Sequence, residues 1–252
     1  MKQHKHNISE ITVFTDFDGT IVSQDIGNEL FIQFGEFQQN YDLLKSGNIH
    51  IRDYWAKVCS TLKISENIKS KFNGFDDSFF EYFVEQFDID PNFITFYNFC
   101  IDNSININIL SDGFSNYINP IINKIGITDA KIFSNKLCLI DKKIIPFFYG
   151  ASESCECMCA SCKRNTVITE APPDSLIVYI GDGQSDLCAA EHSDIIFAKN
   201  HLSAYLNEKR IPHYNFSNFF DVYRIFSNII NEKKYRIRHQ AFLKRKQAFE
   251  CE

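Results

Sequence analysis

Two carboxylates one residue apart stand in the stretch "ITVFTDFDGTIV": Asp16 and Asp18, directly after a short apolar run. The run is rich in β-branched residues and stops at Asp-Gly turn chemistry, so "ITVFT" reads as a buried strand. Side chains alternate along a strand, which points residues 16 and 18 the same way. Carboxylates held together repel, and one pKa rises unless a cation or a shared proton intervenes. The pair suits a metal site, or a nucleophile beside a general acid. The plainer alternative is that both solvate a loop.

Three more stretches carry matching chemistry. "ILSDGF" places Ser111, Asp112 and Gly113 after an apolar run, where a hydroxyl and backbone N–H groups at a strand-to-helix turn make an anion site. "YIGDGQSD" places Asp182 and Asp186 in a glycine-rich turn, and between the two stretches lies a basic pair, Lys163 and Arg164. Singly these are turns and a surface lysine. Together they make a pattern: Asp16, Ser111 and Asp182 each fall where ligands bind in a parallel α/β sheet, outside the carboxyl ends of the strands. Phosphoryl transfer needs such parts. Carboxylates hold a hard cation such as Mg²⁺, and the cation and a lysine neutralise the transferring group. One carboxylate can attack phosphorus to give an aspartyl-phosphate. A second protonates the leaving oxygen and then deprotonates the attacking water.

The elements that position these groups follow from periodicity. Strands are expected at "ITVFTD", at "SININIL" ending near Leu110, at "AKIFS", at "SLIVYI" and at "DIIFA", with helical spacing between most of them. That alternation predicts an α/β fold with a parallel sheet and crossover helices. Residues 22–99 break the rhythm and read as helices whose aromatic residues recur every three or four positions, a face that is core more often than ligand groove. The expected organisation is a core from 1–21 and 100–252 with a helical insertion at 22–99. From Asn231 a basic helix is expected, "NEKKYRIRHQAFLKRKQ", read as a solvated face before an acidic-partner or nucleic-acid site.

Composition narrows the class. The 252 residues carry a net charge of −6, which leaves no general nucleic-acid footprint. There is no apolar run of the roughly 20 residues needed to span a bilayer, and the first ten residues hold no signal-peptide core, so a cytoplasmic enzyme without a membrane partner is expected. Most of the nine cysteines read as reduced thiols in so long a chain. Cys155, Cys157, Cys159 and Cys162 form Cys-x-Cys-x-Cys-x-x-Cys, which invites Zn²⁺. The spacing is tighter than in most structural zinc sites, so redox pairing and inert thiols stand beside that reading.

"DFDGT", "ILSDGF", the following Lys163 and "GDGQSD" together resemble the four motifs of the haloacid dehalogenase-like (HAD) phosphatases, in family order, over most of the chain. The resemblance implies a Rossmann-like core and Mg²⁺-dependent hydrolysis of a small phosphorylated metabolite. It implies that Asp16 is nucleophile and metal ligand, and that Asp18 is general acid/base and offers its backbone carbonyl to the metal. Ser111, Asp112 and Gly113 would hold phosphoryl oxygens, Lys163 would bridge nucleophile and phosphate, and Asp182 with Asp186 would complete the metal site. An acid at Asp18 separates the phosphatases from the dehalogenase branch. The insertion at 22–99 is similar to the C1 cap of the phosphoserine phosphatase-like subgroup. "CECMCASCK" and "GDGQSDLCAAEHSDIIFAKN" are similar to the proteins around 2-hydroxy-3-keto-5-methylthiopentenyl-1-phosphate phosphatase. Phosphoserine phosphatases usually carry Glu nine residues after the nucleophile, where this chain has Asp25, either a specificity carboxylate or the N-cap of the helix that follows. Phosphoserine hydrolysis, a non-catalytic relative and a cysteine-cluster metal or redox sensor on the same scaffold are the other readings.

Overall fold

The computed structural model describes residues 8, 10–64, 66–72, 74–141, 143–150 and 159–250. Its strands are β1 (Ile11–Asp16), β2 (Asn106–Phe114), β3 (Lys131–Ile140), β4 (Lys143–Phe147), β5 (Leu176–Gly181), β6 (Ile195–Ala198) and β7 (Tyr214–Asn215). They form one sheet in the order β4-β3-β2-β1-β5-β6-β7. Among the described strands only the β3–β4 hairpin is antiparallel. β1 and β5 are buried at every position, as strands covered on both faces must be. Register decides the site. Asp16 lies opposite Leu110, and Thr15 lies opposite Ile180. The residues after Leu110 and Ile180 therefore flank Asp16 on its two sides.

Among the described residues six α-helices separate β1 from β2: α1 (Ile26–Phe34), α2 (Phe37–Lys45), α3 (Ile51–Ser60), α4 (Glu66–Lys69), α5 (Asp77–Phe83) and α6 (Phe93–Asp102). Their aromatic stripe is core. Phe79, fully buried, packs edge-on against Phe34 and Phe75 with ring centroids 5.1 and 4.7 Å apart. α3 rests on α2 and β4, whereas α6 packs against β2 and α11 (Phe219–Asn231). The remaining helices are α7 (Ser115–Lys124), α8 (Lys163–Glu170), α9 (Leu187–Glu191), α10 (Asn200–Glu208) and α12 (His239–Glu250).

Several expectations shift. β2 runs past Leu110 to Phe114, with a register break between Leu110 and Phe114, so "SDG" is a bulge within the strand rather than a turn after it. The basic helix starts at His239, not Asn231, and its charges are not simply solvated. Arg238 donates to the carbonyls of Ala190, Glu191 and Ser193, and Arg245 to the His192 carbonyl and the Asp194 carboxylate. Lys244 pairs with Glu191. Cationic groups thus satisfy the orphan carbonyls at the end of α9, where the helix dipole favours them. Its acidic partner is this chain's own 191–194 segment. Cys59, Cys100 and Cys138 are unbridged, as expected, while Cys188 is disulfide-bonded. No described helix is long and apolar enough to cross a membrane.

Candidate active site

Asp16 ends β1, and its Oδ1 accepts from Lys163 Nζ at 2.5 Å. The same ammonium donates to Asp186 Oδ1 at 2.7 Å, and all three side chains are buried. Burial works against the Lys163 charge, but Asp16 and Asp186 outweigh it and hold the ammonium pKa well above its ordinary value. Arg164, the other candidate cation, turns instead to Asn165 Oδ1 at 2.8 Å. Lys163 opens α8, and the loop before it is tied down by Asp112. That carboxylate accepts from Ala160 N, Ser161 N and Ser161 Oγ at 3.0, 3.1 and 2.5 Å. The Asp112 side chain therefore turns towards the lysine's loop, away from the anion position expected of it.

Asp182 follows β5 and sits beside Asp16, with the Thr20 hydroxyl 3.4 Å from a carboxylate oxygen of each. Asn200 Nδ2 donates to Asp182 Oδ2 at 3.1 Å. Gly19, at φ +77°, makes this approach possible: a Cβ there would lie 2.7 Å from Asp182 Oδ2. Asp186 is fully buried and saturated. Its Oδ1 accepts from Lys163 and the Tyr179 hydroxyl, and its Oδ2 from the N–H groups of Asp182 and Gly183.

Asp16, Asp182 and Asp186 bring carboxylate oxygens within 4.8 Å of one another. Burial, and then Asp186, push the Asp16 carboxyl well above the usual carboxylate range, against the pull of Lys163. Burial and Asp186 also raise Asp182. Three carboxylates facing one ammonium leave negative charge uncompensated, and hard oxygen donors in that excess fit a divalent cation such as Mg²⁺.

Asp18 lies outside this triad. The chain leaves β1 at Phe17, whose carbonyl accepts from the N–H groups of Thr20, Ile21 and Val22. That turn carries Asp18 to the cap side, so residues 16 and 18 do not form the side-by-side pair expected of a continuing strand. Asp18 Oδ1 accepts from Ile26 N at 2.9 Å, and Oδ2 from Ser111 Oγ at 3.2 Å and the Tyr117 hydroxyl at 3.1 Å. Burial, and then the charge of Asp25, raise its pKa to about 7. Ser111 Oγ also accepts from Gly113 N at 2.9 Å. Gly113 cannot carry a side chain, since a Cβ there would lie 1.9 Å from the Tyr117 hydroxyl. Asp25 caps α1: Oδ1 accepts from Asn28 N at 2.8 Å and Oδ2 from Asn28 Nδ2 at 2.7 Å.

The reading by motif did not single out Tyr117, Thr20, Tyr179, Asn200 or Ser161. Tyr179 had a signal, a hydroxyl inside the otherwise apolar "LIVYIG", since a buried tyrosine needs a partner. Cys159 and Cys162 are buried just before Lys163. Cys155 and Cys157 lie outside the described residues.

Residues 13–191 match the haloacid dehalogenase-like hydrolase family, and the segment spans every group just described from Asp16 to Asp186. The chain belongs to that family. Over 226 residues it is 25% identical to the 2-hydroxy-3-keto-5-methylthiopentenyl-1-phosphate phosphatase of Brevibacillus brevis, an alignment covering 88% of this chain and 98% of the relative. It is 28% identical over 226 residues to Pdp3-interacting factor 1 of Schizosaccharomyces pombe, covering 85% and 94%. A phosphoserine phosphatase structure holding a phospho-aspartyl intermediate analogue superposes with a TM-score of 0.61 at 18% identity, over 86% of this chain and 98% of that one. At that identity the likeness speaks for the HAD fold alone.

Proposed function

We propose that this HAD hydrolase is a Mg²⁺-dependent phosphomonoesterase that cleaves a small phosphorylated metabolite through an aspartyl-phosphate on Asp16. One observation carries the reading. The ends of β1 and β5 and the start of α8 bring Asp16, Asp182, Asp186 and Lys163 into one buried cluster with excess negative charge. That suits a cation and a phosphoryl group better than it suits a folded resting state.

In this reading an Asp16 oxygen attacks phosphorus and the ester P–O bond breaks. Asp18, whose pKa lies near neutrality, gives its proton to the departing oxygen. It then takes a proton from the water that attacks the aspartyl-phosphate, releasing inorganic phosphate and restoring both carboxyls. Lys163 bridges Asp16 and the phosphoryl group, while Ser111 and the Gly113 N–H orient its oxygens. Asp16 and Asp182, with Asp186 and the Asp18 carbonyl in support, would hold Mg²⁺, which would supply charge neutralisation on those oxygens. Asp112 holds the Lys163 loop, and α1–α5 form the cap over the site.

The test is a hydrolysis screen of small phosphate monoesters with and without Mg²⁺. Metal-dependent release of phosphate from at least one ester is the expected result. A homogeneous, folded protein inert towards every ester would reject the proposal. The Brevibacillus relative's name points to a hydroxy-keto phosphate ester as a first member of that panel.

A further inference from the structure

Among the described residues, five buried side-chain polar atoms have no hydrogen-bond partner. Two of them, the hydroxyls of Thr12 and Ser175, sit at the N-terminal ends of β1 and β5, the edge of the sheet opposite the site. The other three are Arg52 Nε, Tyr54 Oη and Trp55 Nε1, within four residues at the start of α3. Tyr54 and Trp55 are only 2% and 9% exposed, so bulk solvent does not reach them. Buried donors are nearly always paired, and one left unpaired is destabilising. Three of the five fall on one turn of one helix.

Their place is the roof of the site. A Cβ on Gly27 would touch the far edge of the Trp55 ring at 3.3 Å, the Tyr117 hydroxyl at 3.3 Å and Asp25 Oδ1 at 3.5 Å. The benzo edge of the indole and the hydroxyl of the tyrosine that donates to Asp18 thus border the same backbone position. It also packs edge-on against Phe114, directly after Ser111-Asp112-Gly113, with centroids 5.2 Å apart, and against Tyr54 at 5.7 Å. The Arg52 guanidinium lies 6.0 Å from the Phe148 ring. The next residue, Tyr149, is tied through Asn135 to the Asp112 carbonyl. The nearby carboxylates are already engaged, Asp25 by Asn28 and Asp18 by Ile26, Ser111 and Tyr117.

We propose that Arg52, Tyr54 and Trp55 form the leaving-group subsite, and that it selects phosphate monoesters whose carbon skeleton carries acceptor oxygens, a carbonyl or a carboxylate. The assignment rests on the phosphatase reading above and adds the substrate class to it. Indole and guanidinium are donors only, and the buried Tyr54 keeps its proton because burial, then Asp25, raise its pKa. An acceptor oxygen would complete any one of these donors. An ammonium on the skeleton would meet a cation and an N–H. A site built to hydrogen-bond a substrate oxygen discriminates strongly against analogues without it, since they leave its donors unpaired.

Two readouts test this, one of them independent of turnover. The first compares dihydroxyacetone phosphate and 2-phosphoglycolate, which bear acceptors, with phosphoethanolamine and phenyl phosphate. Tyr54→Phe and Trp55→Phe keep a ring and delete one donor. Each should lower kcat/KM for the preferred acceptor-bearing ester by at least about tenfold more than for phenyl phosphate. The melting temperature of Tyr54→Phe should hold or rise, because an unpaired buried hydroxyl is removed. The second readout uses Trp55 as the chain's single tryptophan. In Asp16→Asn, dihydroxyacetone phosphate or 2-phosphoglycolate should change its fluorescence saturably, and inorganic phosphate should not. Equal losses on all four esters, a preference for phosphoethanolamine, or a silent tryptophan would overturn the subsite. A saturable tryptophan response without hydrolysis of any ester would instead sink the phosphatase reading, and with it the leaving-group role, and leave the three donors as a binding site for acceptor-bearing esters.

Discussion

The floor and the roof of the site solve the problem of buried polarity in opposite ways. On the floor, at the ends of β1 and β5, Lys163 is shared between Asp16 and Asp186, and Asp186 takes four donors from within the chain. On the roof, at the start of α3, Arg52, Tyr54 and Trp55 bury donors that nothing in the described chain accepts. A group common to every substrate can be met by a fixed, self-paired constellation. A group that differs between substrates is met by polar atoms held in reserve for it. The floor is therefore read as the chemistry and the roof as the choice of substrate.

The comparison breaks most sharply at Asp16. Asp16→Asn should lower phosphate-ester turnover by at least about 10⁴-fold, since the uncatalysed reaction is among the slowest known. It should not lower the melting temperature, because burial and Asp186 already disfavour the charge it removes. Turnover and a melting curve on the same preparation check both. Lys163→Met should act on the fold as well. It strands Asp16 and Asp186 in the interior without a counter-charge, at a cost of about 3–5 kcal/mol. Urea denaturation without Mg²⁺ measures that loss, and added Mg²⁺ should recover part of it. Tyr54→Phe on the roof should show no such loss, and a comparable loss there would erase the distinction.

A smaller effect comes from behind the floor, at the end of α9. His192 is held near a pKa of about 4 rather than 6.5, by burial first and then by the Lys244 and Arg164 charges, against its bond to the Cys188 carbonyl. Below pH 6.5 the unfolded chain takes a proton that the folded one refuses. Stability should therefore fall as pH drops from 6.5 towards about 4, by up to about 3 kcal/mol. Denaturation midpoints across that window measure it, and His192→Gln should flatten the slope. The smallest effect separates the two roles of Asp25. As the α1 cap, its replacement by Ala should cost about 1 kcal/mol. It should lower kcat/KM equally for phenyl phosphate and for an acceptor-bearing ester. A loss confined to the latter would move Asp25 into the specificity set.

The floor was far more legible in the sequence than the roof. Asp16, Ser111 and Asp182 stand beside turn residues at the ends of apolar runs, and strand pairing brings such ends together, whereas Lys163 was legible only from its place after the Cys-rich stretch. Asp18 was legible as an acid but not in its direction, because the Phe17 turn that carries it to the cap is set by backbone hydrogen bonds. β4 was hidden by Pro146 in "KIIPF", which an edge strand tolerates because its outer N–H groups need no partner. α2 was missed although Phe37, Tyr41 and Leu44 recur at helical spacing, because these are only partly buried in a short, mostly polar segment. The docking of Arg238 and Arg245 depends on a contact between residues about fifty apart, and no local pattern marks it. The roof was least legible of all. Arg52, Tyr54 and Trp55 look like ordinary members of an amphipathic helix, and whether a donor finds an acceptor is a property of the folded chain.

The central claim is that Asp16 carries the phosphoryl group. Rapid acid quench of the protein during turnover of its best ester, followed by peptide mass spectrometry, tests it directly. The account predicts a phosphoryl adduct on the peptide containing Asp16, labile to hydroxylamine and absent from Asp16→Asn. Sustained Mg²⁺-dependent hydrolysis by homogeneous Asp16→Asn, with no adduct at residue 16 in the native protein, would contradict it.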